Sequence, residues 1–505
     1  MTRFPSHLSD DFDALIALLR ARGVRDLRLD SRQIERGDAF VAVPGRKVDG
    51  RDFIEQAAAR GAVAVLVEAD GWTSPPAGVP VLPLAGLTAD LGRLAAAWYG
   101  EPSRALFSAG VTGTNGKTSC SQWIAQALSA AGRPCGVIGT LGCGFPGQLQ
   151  DAGLTTPDPV SLQRAVRALA DRGARALAME VSSIGLDQQR VDGMKFDVAV
   201  FTNLTRDHLD YHGTMAAYGQ AKARLFDWPT LTHAVLNLDD AFGRQLAHAL
   251  QARARAPKLI GYSVAPSGVD AVPCLLRATA LRATATGQAF TLTVGDAHAD
   301  VTVGLVGTFN VSNLLAVTGV LLAAGLSLAE AAALLPQLSP PPGRMQCLGG
   351  SGQPLAVIDY AHTPDAIAQA LTALRPLAQT RGGALWIVFG AGGDRDPGKR
   401  APMGAAASAA DHVVITSDNP RGEEPAAIAA QVAAGVPAGS SCRTLIDRAM
   451  AIDSVLAEAD ARDVVLIAGK GHEPYQETRG VRTPFSDVER AGAALASRPG
   501  REQAA

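Results

Sequence analysis

Gly110-Val-Thr-Gly-Thr-Asn-Gly-Lys-Thr118 is the stretch that decides the fold of this chain. An apolar run over 105–112 leads into it and a helical stretch over 119–131 leaves it, so its glycines fall at a strand-to-helix turn. Glycines there let backbone N–H groups close around phosphate oxygens, and the start of a helix favours an anion. Lys117 is placed to reach the β and γ phosphates of a nucleotide, and the Thr118 hydroxyl to reach Mg²⁺. The loop is a variant: the common GxxxxGK[ST] pattern has glycine where this chain has Val111.

Outward from the loop, strand, turn and helix repeat from about 103 to 338. Apolar runs at 105–112, 176–181, 197–202 and 234–238 predict the strands of a parallel sheet. Between 275 and 305 apolar and polar residues alternate, as in Ala289-Phe-Thr-Leu-Thr-Val294, which predicts an antiparallel ribbon attached to that core. The stretch 314–335 could imitate a membrane span. Gly325 interrupts it, however, and Ser327-Leu-Ala-Glu330 matches a capping box, so two short buried helices are expected. Pro340-Pro-Pro342 marks the next boundary, because consecutive prolines cannot continue a helix.

Beyond the prolines, runs at 355–358, 385–389, 413–416 and 464–468 predict a second, Rossmann-like parallel sheet. Each run ends in polar or glycine-rich sequence: DYAHTPD, GAGGDRD, SDNPR and GKGHE. Ligands of such sheets bind beyond the carboxyl ends of the strands. Before the loop, strands are expected at 40–43 and 62–67, a helix at 51–60, a Pro/Gly-rich patch from 72 to 80, and a linker at Tyr99-Gly-Glu-Pro-Ser103. The reading is an α/β chain of three domains. A small N-terminal α/β domain spans 1–102, a central P-loop domain with the ribbon spans 103–338, and a C-terminal domain spans 339–505.

The bulk numbers agree with that reading. A chain of 505 residues is too long for one core and comfortable for three. Its formal net charge of −2 draws it to neither nucleic acid nor a membrane surface, so anionic ligands must meet positive charge gathered inside sites. The cysteines at 120, 135, 143, 274, 347 and 442 include no CxxC pair, which argues against a zinc ribbon or a disulfide framework. The start MTRFPSHLSDDFDALIALL is acidic where a secretory signal needs a basic start. The expectation is a cytoplasmic monomer without membrane insertion.

The loop variant GVTGTNGKTS resembles that of Mur ligases and the related folylpolyglutamate synthetases, and from it the resemblance covers nearly the whole chain. It implies ATP-driven amide-bond formation, with Mg²⁺ as cofactor and ATP as co-substrate gripped by Gly113, Thr114, Asn115, Gly116, Lys117 and Thr118. Glu180 in Met179-Glu-Val-Ser-Ser183 would alone be a solvated or paired carboxylate; the family's MEVSS segment implies a metal ligand. His208 in Thr202-Asn-Leu-Thr-Arg-Asp-His-Leu-Asp-Tyr-His212 would alone be structural, and similarity to TNLxxDHLDxH again implies a metal ligand. Lys222 would alone be a surface-helix lysine. Its segment, Tyr218-Gly-Gln-Ala-Lys-Ala-Arg-Leu-Phe226, resembles YxxAKxxLF, whose lysine is carbamylated by CO₂. A carbamate offers a metal a negative oxygen where an ammonium would repel it. The resemblance thus makes Lys117, Lys222 and His208 the catalytic residues, and Thr118, Glu180, His208 and carbamylated Lys222 the metal site.

The resemblance also assigns substrate contacts. Thr155 and Thr156, with Ser182, Gln188 and Arg190, match contacts to the muramoyl-peptide substrate; Arg190 can fork onto a carboxylate or phosphate. Relatives often read SSHGL where this chain has Ser182-Ser-Ile-Gly-Leu186, and Ile184 cannot donate a hydrogen bond, so no function passes to it. Leu29 and Ser31 in Leu29-Asp-Ser-Arg32, and the segment Pro44-Gly-Arg-Lys-Val-Asp-Gly-Arg-Asp-Phe-Ile54, resemble uridine-diphosphate-binding segments. Asn310 and Asn313 in Gly307-Thr-Phe-Asn-Val-Ser-Asn313, and Arg344 in Pro342-Gly-Arg-Met345, resemble nucleotide contacts; the two amides suit adenine or helix capping equally.

Asp418-Asn-Pro-Arg421 is by itself a turn. Within the family it resembles the signature of diaminopimelate-adding members, in which the arginine grips a far carboxylate that lysine lacks. Arg395, Gly469 and Glu473 match the remaining amino-acid contacts beside Asp418, Asn419, Pro420 and Arg421, with Glu473 on the distal ammonium. His362 fits a role at an interdomain cleft, with no partner assigned. The reaction implied is addition of meso-diaminopimelate to UDP-N-acetylmuramoyl-L-alanyl-D-glutamate through an acyl phosphate, in peptidoglycan precursor synthesis. A lysine-adding relative conflicts with residues 418–421, and a folylpolyglutamate-type ligase gives no reason for the first domain. A dead scaffold would have lost Lys117, Glu180 or Lys222, and a P-loop switch needs no amino-acid site.

Overall fold

The structure, a computed structural model, describes residues 12–498 except 47, 74–77, 266–271 and 285–286. The acidic N-terminal start, Lys47 of the uridine-type segment and the middle of the Pro/Gly-rich patch lie outside the described residues.

One compact unit takes the chain up to Gly261, with 319–325. It opens with a four-stranded parallel sheet in the order Asp26–Arg28, Asp38–Ala42, Ala64–Glu68, Val81–Leu84. The two inner strands are buried along their whole length, which is why they read as unbroken apolar runs. The outer two escaped that reading: one has three residues, and the other carries Pro83, which an edge tolerates because it lacks an N–H. The helix expected at 51–60 splits into a 3₁₀ turn, Gly50–Phe53, and a helix, Ile54–Ala59, with the Asp49 carboxylate accepting from Arg51 N at the start.

The unit's second sheet has Phe107–Thr112 at its centre. Val198–Phe201 and then His233–Asn237 lie parallel on one side, Ala176–Glu180 and then Cys135–Gly139 on the other. A meander of Gly142–Phe145 and Gln148–Gln150 continues antiparallel. The two sheets are fastened by Arg164, whose Nε donates to Asp26 Oδ2 at 2.9 Å and to Tyr99 Oη at 3.2 Å. They are also fastened by close approach: a Cβ on Gly92 of helix Leu87–Trp98 would lie 2.3 Å from Asp192 O.

The second unit takes 274–318 and the chain from 326. Cys274–Ala283, Gln288–Val294 and Ala297–Val303 form the antiparallel ribbon. The apolar stretch is indeed broken into Thr308–Ala323 and Leu328–Leu334, and Ser327 and Glu330 make the reciprocal capping box. Among the described residues no helix is long and apolar enough to cross a membrane.

The main sheet of this unit runs Gln346–Gly349, Leu355–Asp359, Val464–Ala468, Leu385–Phe389, His412–Ile415, Cys442–Thr444, parallel except for the first strand. Its four interior strands are the four apolar runs. Asp359 and Phe389 both register with Ala468, and Phe389 with Ile415, so the four polar segments leave the sheet along one edge. Beneath that edge Arg448 and Asp487, both without exposed side-chain surface, form an ion pair at 2.6 Å. Arg448 also donates to Ala468 O at 3.0 Å and Ser417 O at 3.3 Å, tying two strand ends together.

Candidate active site

In the first unit the phosphate loop is built as its glycines require. Gly113 and Gly116 have φ of +147° and +86°, and a Cβ on Gly113 would meet Thr202 Oγ1 at 1.9 Å. The helix Lys117–Ala130 begins two residues earlier than its apolar pattern suggests, so Lys117 and Thr118 occupy its first turn. The segment after Val198–Phe201 braces the loop: Thr114 N donates to Asn203 O at 2.8 Å, and Asn115 N to Asn203 Oδ1 at 2.9 Å. Thr202 Oγ1 donates to Asn115 O at 2.6 Å.

Two lysines meet under this loop. Lys117 Nζ donates to Gly113 O and Thr114 O, both at 2.9 Å, and Lys222 Nζ donates to the same Gly113 O at 2.8 Å. Lys222 is 1% exposed and sits 4.2 Å from the Tyr218 ring centroid. Burial, with the Lys117 charge adding to it, pushes the Lys222 pKa well below that of an ordinary lysine. A lysine so placed gives up its proton more readily than an ordinary one, and the neutral amine is the form that can attack CO₂. It is therefore no surface residue.

Glu180 lies at its strand end, 1% exposed. Its Oε2 accepts from Thr118 Oγ1 at 3.1 Å and Thr140 Oγ1 at 3.2 Å, and its Oε1 from Thr140 N at 2.8 Å. A buried carboxylate sharing a hydroxyl with the phosphate loop is a hard-oxygen pair that suits Mg²⁺ beside nucleotide phosphates. His208 has φ of +51°, with Nε2 3.5 Å from Asp207 Oδ2 and its ring 6.1 Å from that of Tyr218. Among the described residues no three His, Cys, Asp or Glu side chains make a metal cage.

The residues expected from sequence to meet the muramoyl peptide form a connected chain beside Glu180. Thr140 and Thr155 hydroxyls are 3.0 Å apart, Thr156 Oγ1 donates to Glu180 O at 3.0 Å, and Ser182 N donates to Thr156 Oγ1 at 3.0 Å. Arg190 donates to Thr156 O at 2.9 Å and from Nη2 to Gln188 Oε1 at 2.7 Å. Gln188 in turn lines a cavity of about 610 Å³ with Arg46, Tyr211, His212 and Arg224. Arg46 lies over the Tyr211 ring at 4.1 Å. Leu29 and Ser31 do not line it; Ser31 is buried, donating to Gln56 Oε1 at 2.6 Å.

In the second unit Asn310 Nδ2 donates to Val306 O at 2.8 Å and Asn313 Nδ2 to Asn310 Oδ1 at 3.4 Å, so the Asn310 amide serves the helix start. Arg344 stacks over Tyr360 at 4.7 Å. Tyr360 also packs against His362 and His472, and His362 Nδ1 lies 2.8 Å from Tyr360 O. Burial, then the Arg344 charge, brings His472 down to about 4.

The residues expected from sequence to meet the amino acid lie at the sheet edge. Asn419 Nδ2 donates to Glu473 Oε2 at 2.7 Å, and Tyr360 Oη to Glu473 Oε1 at 3.5 Å. Lys470, fully buried, donates to Asn419 Oδ1 at 3.0 Å and pairs with Glu473 at 3.3 Å. A Cβ on Gly469, whose φ is +116°, would lie 2.5 Å from Asp418 Oδ2. Arg421, after Pro420, has φ of +50° and sends Nη1 to Gly393 O at 2.8 Å. A hairpin, Tyr475–Thr478 with Val481–Pro484, fixes that backbone: Arg421 N donates to Glu477 O at 3.0 Å and Arg479 N to Arg421 O at 2.5 Å. Arg395 is exposed on the neighbouring loop. Lys470, Arg46, Arg224 and the hairpin were not singled out from sequence, although the three residues lie in quoted segments: Lys470 in GKGHE, Arg46 in Pro44–Ile54 and Arg224 in Tyr218–Phe226.

Three family models cover the chain in order: the Mur ligase family catalytic domain at 24–99, the Mur ligase middle domain at 111–321 and the Mur ligase glutamate ligase domain at 343–471. The chain belongs to the Mur ligase family. It is 51% identical to the UDP-N-acetylmuramoyl-L-alanyl-D-glutamate--2,6-diaminopimelate ligase of Janthinobacterium sp. (strain Marseille), over 94% of both chains. It is 51% identical to the protein so named in Pseudomonas aeruginosa, over 94% of this chain and 95% of that one. A solved UDP-N-acetylmuramoyl-L-alanyl-D-glutamate--2,6-diaminopimelate ligase superimposes with a TM-score of 0.68 at 38% identity, over 94% of this chain and 95% of that one. A Mycobacterium tuberculosis folylpolyglutamate synthase complexed with ADP and AMPPCP shares the fold alone, with a TM-score of 0.59 at 21% identity over 74% of this Mur ligase and 91% of that chain.

Proposed function

We propose that the chain is the ATP-dependent ligase that joins meso-2,6-diaminopimelate to UDP-N-acetylmuramoyl-L-alanyl-D-glutamate in peptidoglycan precursor synthesis. One observation carries the choice of amino acid: arginine-bearing loops and the carboxylates of Asp418 and Glu473 leave the same sheet edge. Such a site matches a far end that carries both a carboxylate and an ammonium, and lysine offers only the ammonium. The names of relatives at 51% identity agree.

In this reading Leu29 and Ser31 hold the uridine diphosphate end, and Thr155, Thr156, Ser182, Gln188 and Arg190 the muramoyl dipeptide. The loop residues Gly113, Thr114, Asn115, Gly116, Lys117 and Thr118 hold ATP, with Asn310, Asn313 and Arg344. Arg395, Asp418, Asn419, Pro420, Arg421, Gly469 and Glu473 hold diaminopimelate. Mg²⁺, held by Thr118, Glu180, His208 and Lys222 as a carbamate, would supply positive charge to the phosphate oxygens. Separate family matches at 24–99, 111–321 and 343–471 support the three-domain division at 102 and 338. The same reading makes the chain a cytoplasmic monomer.

A γ-carboxylate oxygen of the D-glutamyl residue attacks the γ phosphorus of ATP, and ADP leaves. A carboxylate is a poor electrophile; the acyl phosphate supplies a leaving group. Lys117 offsets charge on the transferring phosphoryl oxygens. The amine of diaminopimelate then attacks the acyl carbon, loses a proton, and phosphate departs with the oxygen that began on the carboxylate. Labelling the γ-carboxylate with ¹⁸O tests this: one label should appear in each released phosphate. Unlabelled phosphate would exclude the acyl phosphate.

A further inference from the structure

The loops that carry Arg395 and Arg421 touch backbone to backbone. Gly393 N donates to Asn419 O at 2.9 Å, and a Cβ on Gly393 would stand 1.9 Å from Pro420 O, so no side chain fits between them. Arg421 Nη1 reaches back to Gly393 O at 2.8 Å, and Gly422 N donates to Asp394 Oδ2 at 2.9 Å. Asp394 and Arg421 both hold φ near +50°, at +51° and +50°. Non-glycine residues stay there only when their surroundings over-determine them.

The determinant beneath both loops is Arg400, at the start of helix Arg400–Ala407 and 1% exposed. Its guanidinium forks onto Glu423, with Nη1 to Oε2 at 2.8 Å and Nη2 to Oε1 at 2.7 Å. It also donates to Gln431 Oε1 at 2.8 Å and Gly392 O at 3.4 Å. Glu423 Oε1 accepts from Asp394 N at 2.7 Å, and the Arg400 bonds hold its pKa down at about 2, so the carboxylate stays ionised. One buried cation thus grips the first loop through Gly392 and, by way of Glu423, through Asp394; the same carboxylate belongs to the second loop, two residues past Arg421. Neither Arg400 nor Glu423 is among the residues assigned above to diaminopimelate.

We propose that Arg400, acting through Glu423, is the positioning residue that holds Arg395 and Arg421 in register and so sets the preference for a diamino dicarboxylate over lysine. The proposal rests on the amino-acid site assigned above. A purely structural ion pair would lower stability, and turnover with every substrate, alike. A positioning pair acts on one substrate, and on the end of it that lysine lacks. Arg400→Lys keeps the charge but loses the planar fork that meets two oxygens at once.

The test is steady-state kinetics of the full chain with diaminopimelate and with lysine, for the wild type, Arg400→Lys and Glu423→Gln. Arg400→Lys should raise KM for diaminopimelate at least about tenfold, while KM for ATP and for the UDP-dipeptide stays within about twofold. The ratio of kcat/KM for diaminopimelate over lysine should fall by about the same tenfold, and Glu423→Gln should move it the same way. If Arg400→Lys does not fold, Glu423→Gln decides by that ratio alone, since its side chain is 36% exposed and the substitution preserves shape. An unchanged ratio in the folded variants, or equal losses with both amino acids, overturns the role of Arg400. A wild type indifferent to the two amino acids would instead overturn the amino-acid site, and the proposal with it.

Discussion

Replacing Lys222 tests the link between the two lysines and catalysis. Both side-chain nitrogens donate to the carbonyl of Gly113, at 2.9 and 2.8 Å. Were both protonated, two unit charges held on one acceptor at these distances would repel by about 3 kcal/mol or more at an effective dielectric constant near 20. Burial is the larger cause and this repulsion adds to it, which is why the Lys222 pKa lies well below that of an ordinary lysine. Carbamylation would reverse the sign: the new anion would attract Lys117 and offer oxygens beside the phosphate loop. Lys222→Ala should therefore lose on the order of 10²–10³ in kcat and regain part of it with acetate. Lys222→Arg restores a cation that cannot shed its charge and should stay inactive. Phosphate release measures turnover, and ¹³C-labelled bicarbonate should give a carbamate carbon signal that both variants lack. A fully active Lys222→Arg chain would reduce the lysine to a structural role.

Lys117→Ala should leave thermal unfolding nearly unchanged and cost about 10²–10³ or more in rate, because it removes a main stabiliser of phosphoryl charge; near-normal turnover would take the loop out of the catalytic account. Arg421→Ala should lose most of its activity with diaminopimelate and far less of its weak activity with lysine, since an unmatched guanidinium already penalises lysine by roughly 3–5 kcal/mol; equal loss with both would mean that Arg421 only shapes its loop. His472 titrates at about 4 in the folded chain against 6.5 when exposed, so the unfolded chain binds more protons between these values. Its contribution is complete above pH 6.5 and is lost as pH falls toward 4, at most roughly 3 kcal/mol in all. Urea midpoints at pH 7 and pH 4.5 should differ less in His472→Asn than in the wild type, and parallel losses would contradict the assignment.

The phosphate loop and the segment 418–421 were legible because each packs its chemistry into consecutive residues at a strand end. The interior strands at 385–389 and 464–468 matched residue for residue, since strands buried on both faces leave unbroken apolar runs. Short edge strands such as Cys442–Thr444, exposed throughout, leave no such trace. What could not be read was tertiary. Lys222 looks like a surface residue until Tyr218 and the phosphate loop close over it. Arg46 and Tyr211 meet across 165 residues of chain. The fork between Arg400 and Glu423 joins a helix start to a turn, and neither segment signals the other in sequence.

The most direct test of the account is phosphate release from ATP by the purified chain with the UDP-muramoyl dipeptide and a panel of amino acids. Release should depend on both the dipeptide and meso-diaminopimelate, with a tripeptide product of matching mass, and L-lysine should be used about 10²–10⁴ less efficiently. Equal or better use of L-lysine, or release without the UDP-dipeptide, would contradict it.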